Sequence, residues 1–252
     1  METIPRRPPP WLTVLATFTG NLFLVIGSAI LGALTVLVGW IPPRGRWAFG
    51  VMRIWSNGLL AAAMVRVEVH YAPELEPGKS YVFLCNHRSL FDIPVLLATS
   101  PGQVRMVAKR SLFLIPLFGW GLTAGRFIPV DRADRSTAGR TFAQAAERLR
   151  EGTSILMFPE GTRGLTDVLL PFQRGGFLLA LKSGLPIVPV GIRGTRAIQR
   201  KGSFAIRPGT AVVSYGAPID PAVYGLRRKA ELTHEVRARI AELAGLELAE
   251  EA

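Results

Sequence analysis

The 252 residues suffice for one full hydrophobic core with an appendage. The 30 Lys and Arg against 18 Asp and Glu, net charge +12, favour anionic lipid, phosphorylated ligands or nucleic acid without choosing among them. A single Cys excludes an intrachain disulfide framework, and three scattered His with no CxxC exclude the usual zinc patterns, so neither a metal nor another cofactor is expected.

With 49% hydrophobic residues and a mean hydropathy of +0.29, part of the chain is expected in or on a membrane. The first element supplies that part. Trp11 to Ile41 is 31 residues without a charged side chain, a helix of roughly 45 Å if continuous, longer than a bilayer core requires. Arg6, Arg7 and three prolines precede it, as in a signal peptide, but the apolar stretch exceeds the usual apolar core of such a peptide and reads as a retained anchor. Glycines 20, 27, 32 and 39 leave open whether it spans the bilayer or lies flat in the interface. Pro42 and Pro43 end it. Residues 44–65 then mix Arg44, Arg46 and Arg53 with Trp47, Phe49 and Trp55, which suits either a headgroup-facing helix or an amphipathic helix packed on the domain. Residues 1–64 are thus expected to form anchoring helices, and residues 65–252 a catalytic domain.

From Val65 onward short β-type runs alternate with helical ones. Strands are expected at 65–70, 81–85, 104–109, 127–130, 155–158, 187–192 and 211–215, and helices at 92–99, 111–123, 137–150 and 175–183. Gly152 is placed to cap the third helix. Leu232, Val236, Ile240 and Leu243 mark a closing amphipathic helix in the tail from Leu226 to Ala252. The pattern predicts an α/β domain, a mixed and mostly parallel sheet flanked by helices, whose site collects at the carboxyl ends of the strands.

Two constellations fall at such ends. In "CNHRSLFDIP", Cys85 to Pro94, His87 and Asp92 cannot face each other from one helix, where five residues amount to about 140° around the axis. A strand ending at Asn86 and a helix starting near Asp92 would fold them together. The plain structural reading makes Ser89-x-x-Asp92 a capping box, or Asp92 the N-cap with Pro94 in the first turn. The chemical reading has Asp92 fix the imidazole tautomer while the other ring nitrogen takes a proton from a substrate hydroxyl. Cys85 reads as a small buried hydrophobe and Ser89 as a cap, which disfavours an acyl-enzyme on either. "FPEGTRG", Phe158 to Gly164, presents a turn with a hydroxyl and a forked cation, which suits a phosphate. Arg126 and Arg132 in "AGRFIPVDR", Arg174 and Lys182 are further cations that only position can sort.

"NHRSLFD", "FIPVDR", "FPEGTR" and "PIVPV" occur in the order and approximate spacing of the four motifs of the glycerolipid acyltransferases, and residues 65–217 resemble that family, in particular its members acting on 1-acylglycerol-3-phosphate. The resemblance implies acyl transfer from a thioester to the sn-2 hydroxyl of 1-acylglycerol-3-phosphate, giving phosphatidic acid. His87 would be the general base oriented by Asp92. Asn86, Arg126, Arg132, Glu160, Gly161, Thr162 and Arg163 would bind substrate, with Arg163 on the acceptor phosphate. The second motif is one residue longer than the family pattern, which leaves Arg126 and Arg132 as competing phosphate ligands. Gly164 stands where relatives often have Ser or Asn, and is expected to be neutral. The implied co-substrate is acyl-CoA or acyl-acyl carrier protein; the implied partners are the bilayer and a lysophospholipid, with no nucleic acid; the implied location is the cytoplasmic face of the cell inner membrane.

Three rivals remain. Another acceptor (glycerol-3-phosphate, another lysophospholipid or an aminolipid) would keep the chemistry. A basic, non-enzymatic membrane-associated binding protein would not. "PELEPGKSY" ends like a phosphate-binding loop, but Pro73 replaces the first glycine and a strand follows where a helix is required.

Overall fold

The computed structural model describes residues 8–41, 45–76, 78–131, 144–148, 152–173, 175–225 and 227–248. Arg132 and Arg174, together with most of the helix expected at 137–150, lie outside them; residues 144–148 are helical.

Seven strands, β1 (Val65–Tyr71), β2 (Val82–Cys85), β3 (Val104–Lys109), β4 (Ile128–Val130), β5 (Ser154–Met157), β7 (Ile187–Arg193) and β8 (Gly209–Tyr215), form one sheet in the order β1-β8-β7-β2-β5-β3-β4. All neighbours run parallel except β7 and β8. Central strands β2 and β7 are continuous apolar runs because helices cover both faces. A two-residue parallel pair, β6 (Val168–Leu169) with β9 (Glu247–Leu248), ties the loop after β5 to the chain's end. Helix Lys229–Ala244 turns Leu232, Val236 and Ile240 into one apolar cluster with Val82, Leu84 and Ile155, and Gly245, at φ 59°, ends it.

One expected helix breaks in two. Residues 111–123 become a 3₁₀ turn, Arg110–Leu114, and a helix, Phe118–Ala124. Pro116 holds its predecessor Ile115 extended at ψ 121°, and Gly119 then passes so close that an added Cβ would stand 2.3 Å from the Phe113 carbonyl.

The N-terminal segment is one helical rod, Pro10–Gly39, with a π-type turn at Phe23–Gly27. It is the one helix among the described residues long and apolar enough to cross a membrane by length and composition. It packs on the domain from end to end. Thr17 donates to the Ile206 carbonyl and accepts from its N–H, Asn21 donates to the Phe204 carbonyl, and Ser28 Oγ accepts from Trp55 Nε1 at 2.9 Å. Gly32 and Gly39 sit against Leu117 and Ala124, too close for a side chain without a shift of the backbone, and Gly20 sits against the tip of the Ile206 side chain. The opposite face exposes Trp11, Val14, Phe18, Val25, Ile30, Leu37 and Trp40. The next helix, Arg46–Ala62, buries Phe49, Met52 and Leu59 in the same apolar cluster as Phe83, Val95 and Leu156. The change at residue 64 is therefore one of secondary structure, with continuous packing across it.

Candidate active site

β2 delivers Asn86 and His87 past its carboxyl end, and the helix Asp92–Thr99 begins four residues beyond Arg88. The turn folds the pair together: His87 Nδ1 lies 2.7 Å from Asp92 Oδ2, with Asp92 fully buried and His87 8% exposed. The same oxygen accepts the backbone N–H of Arg88 at 2.6 Å and of Ser89 at 2.9 Å. The capping readings give way to this arrangement. Phe91 is the N-cap residue and Asp92 the first helical one, its carboxylate turned back toward the preceding loop. Ser89 Oγ accepts from Phe91 N–H and donates to the Gln199 carbonyl, so the hydroxyl half of the expected capping box does not form, while its carboxylate half, Ser89 N–H to Asp92 Oδ2, does. Asp92 Oδ1 is buried without a partner among the described residues, so a single oxygen orients the imidazole and shapes the turn.

Phe158, which ends the run from β5, stacks on the His87 ring with centroids 4.0 Å apart and planes 17° from parallel. Held by Asp92 and Phe158, the imidazole directs Nε2 away from both; among the described residues Nε2 has no hydrogen bond. Phe158 was absent from the expected site residues because an aromatic closing an apolar strand reads as core.

The FPEGTRG turn is bonded to the same loop. Glu160 Oε1 accepts the His87 N–H at 2.7 Å, Oε2 accepts the Leu170 N–H, and Gly164 donates to the His87 carbonyl at 2.9 Å. Burial raises the Glu160 carboxyl above its ordinary range, opposed by those two backbone donors and by the Arg88 guanidinium. Glu160, expected to bind substrate, has both oxygens hydrogen-bonded to backbone, one of them to His87. Asn86, also expected to bind substrate, exchanges two amide bonds with Ile192, 2.9 Å to the carbonyl and 2.8 Å from the N–H, and is fully buried. Gly161, at φ 70°, makes the turn possible, and a Cβ there would strike Gln173. Thr162 and Arg163 remain at the surface, and among the described residues the Arg163 guanidinium has no ion pair.

Arg126 is placed elsewhere. Registers carry Leu84 through Met157 and Val107 to Ile128 along one rung. His87 lies three residues beyond that rung and Arg126 two before it, so Arg126 is about 16 Å back along the strands and three strands aside. Its guanidinium lies 3.6 Å from Glu147, at the amino-terminal end of the sheet. Asp131 shares the level of His87, and Arg132 follows it outside the described residues.

Sequence reasoning passed over Arg88 as a spacer. It is 4% exposed and its guanidinium donates to the Thr166 and Val168 carbonyls at 2.6 and 3.0 Å, pinning the strand that follows the FPEGTR turn. A Cβ at Gly164 would stand 2.0 Å from Arg88 Nη1, so a side chain there requires the Arg88 guanidinium to shift. Cys85 is buried with its thiol pushed well up by desolvation, and Ser89 is committed to two backbone groups; neither is a poised nucleophile. Gly78, at φ 82°, and the exposed Lys79 lead into β2 and not into a helix, so the phosphate-loop rival lacks its context.

Comparison with known proteins accords with these motifs. The Acyltransferase family model matches residues 66–193. A Pseudomonas aeruginosa protein named 1-acyl-sn-glycerol-3-phosphate acyltransferase is 31% identical over 239 residues, 91% of each chain. A Cocos nucifera protein of the same name is 36% identical over 139 residues, 55% of this chain, which spans only 45% of that relative. The crystal structure of the 1-acyl-sn-glycerophosphate acyltransferase PlsC from Thermotoga maritima superposes with a TM-score of 0.79 at 23% identity, covering 92% of this chain and 95% of the other, a likeness of fold. The chain belongs to the acyltransferase family.

Proposed function

We propose that the protein transfers an acyl chain from a thioester to the sn-2 hydroxyl of 1-acylglycerol-3-phosphate, producing phosphatidic acid. The observation carrying this reading is the 2.7 Å His87–Asp92 contact, with the FPEGTRG turn hydrogen-bonded to the same loop. His87 Nε2 takes the hydroxyl proton as the oxygen attacks the thioester carbonyl; the tetrahedral intermediate expels the thiolate, which recovers that proton as free thiol. Asp92 holds Nδ1–H in place and stabilises the imidazolium. The committed side chains of Cys85 and Ser89 favour direct transfer over an acyl-enzyme. Arg163 binds the acceptor phosphate, assisted by Thr162, and Arg132 follows a strand that ends at the same side of the sheet.

An apolar cleft between the N-terminal rod and the domain is lined by Leu31, Gly32, Trp55, Ile93, Leu97 and Phe118, and its apolar lining suits an acyl chain. Contact along the whole rod supports its lying in the interface, since a helix clasped end to end by the domain has no free length to span with. Activated acyl donors occur in the cytoplasm, which supports a position on the cytoplasmic face of the inner membrane, with acyl-CoA or acyl carrier protein as donor. Thioester-dependent acylation by detergent-purified protein tests the reading, with 1-acylglycerol-3-phosphate run beside glycerol-3-phosphate, phosphodiester lysolipids and an aminolipid. Preference for 1-acylglycerol-3-phosphate is expected; preference for another acceptor keeps the chemistry and removes the substrate.

A further inference from the structure

A cation outside all four motifs reaches the phosphate turn. Lys201 Nζ lies 3.3 Å from Thr162 Oγ1 and 3.5 Å from the Arg163 carbonyl, across 39 and 38 residues of chain. The two cation-bearing segments are both tied to the His87 loop. Gly164, next to Arg163, donates to the His87 carbonyl, and Gln199, two residues before Lys201, accepts from Ser89 Oγ at 2.8 Å. No carboxylate among the described residues neutralises this pair. Glu160 is committed to backbone, and Asp167 takes Arg196 at 2.9 Å. Past Lys201 the same loop crosses to the membrane rod, where Phe204 is 83% exposed and its carbonyl accepts from Asn21.

We infer that Lys201 is a specificity-determining residue, the second cation that grips the terminal phosphate of the acceptor opposite Arg163. The inference rests on the proposed acceptor and adds how the site recognises it. A phosphate monoester carries close to two negative charges at neutral pH and a phosphodiester one. A point-charge ammonium beside a forked guanidinium matches the dianion, whose third oxygen is free of any headgroup.

The test uses full-length protein in neutral detergent micelles, so that surface charge does not alter partitioning. Lys201→Gln is expected to raise KM for 1-acylglycerol-3-phosphate about tenfold while kcat and donor KM stay within about twofold, and Lys201→Arg to restore most of the loss. Preference for the phosphomonoester over a phosphodiester lysolipid should shrink by a similar factor. An unmoved acceptor KM overturns the inference, as does an equal rise for the phosphodiester lysolipid, which would make Lys201 a general surface contact. Failure of wild type to use 1-acylglycerol-3-phosphate overturns the functional reading, and this inference with it; normal wild-type turnover with an indifferent Lys201→Gln overturns this inference alone.

Discussion

Gly164 and Arg88 form a steric pair whose energetics can be measured. A serine at 164 would put its Cβ 2.0 Å from Arg88 Nη1 and 2.9 Å from Cζ, and the guanidinium, 4% exposed, cannot yield without leaving the Thr166 and Val168 carbonyls. Hydrogen bonds from a charged donor are worth about 1.5 to 3 kcal/mol each, and constraining the unfolded chain returns about 0.4 to 1 kcal/mol, so Gly164→Ser should cost about 3 kcal/mol. For a chain of this size that is a fall of about 6 to 12 °C in Tm. Arg88→Ser should cost a similar amount by removing the same bonds. Because it also removes the obstacle, Gly164→Ser in that background should cost less than about 1 kcal/mol. Thermal unfolding of the four proteins in detergent closes the cycle. Equal cost for Gly164→Ser in both backgrounds would refute the steric argument.

Three further outcomes follow from the geometry. Burial raises the Glu160 carboxyl, so the folded state holds its proton to higher pH than the unfolded state; the resulting stability is complete below the ordinary glutamate value near 4.5 and fades as pH rises through the raised one. Glu160→Gln should therefore narrow its deficit against wild type from acid toward neutral pH, and a deficit that widens over that range would contradict the assignment. Native protein should resist thiol alkylation until it unfolds, because Cys85 is buried and its thiol is pushed well up; rapid labelling of the folded state, read by mass spectrometry, would refute this. On the N-terminal rod, Val25→Asp on the exposed face should reduce cosedimentation with vesicles at unchanged Tm, whereas Gly32→Val, aimed at the Leu117 carbonyl 2.9 Å from an added Cβ, should lower Tm. Exchange of those two effects would mean that the faces are reversed.

Much of the domain was legible because its strands are short β-branched runs between helical stretches, and the helix at 92–99 and the strand at 104–109 fall where periodicity put them. The 111–123 stretch misled because apolar spacing continues across Pro116 while the backbone cannot. Chemistry was legible where it depended on local sequence: His87 and Asp92 lie five residues apart and one turn decides their meeting. The scaffold was not legible. Asn86 bonds to Ile192 across 106 residues and Glu160 to His87 across 73, and no local pattern distinguishes a buried polar group serving the backbone from one awaiting a ligand. Placing a Glu directly after a buried strand was the available signal, since such a carboxylate must find donors within the fold. Arg126 was a fair candidate by type, and only strand register separates it from the site.

The central claim is most directly tested by single-turnover acylation of 1-acylglycerol-3-phosphate by wild type, His87→Ala and Asp92→Asn. An amide at 92 can keep one oxygen on the backbone N–H groups of Arg88 and Ser89 and place its nitrogen at the unpartnered Oδ1 position, so it removes charge with little change of shape. The account predicts folded variants whose rate of acyl transfer falls by about 10² to 10⁴. Transfer at the wild-type rate in either variant would contradict it and return His87 and Asp92 to the architecture of a turn.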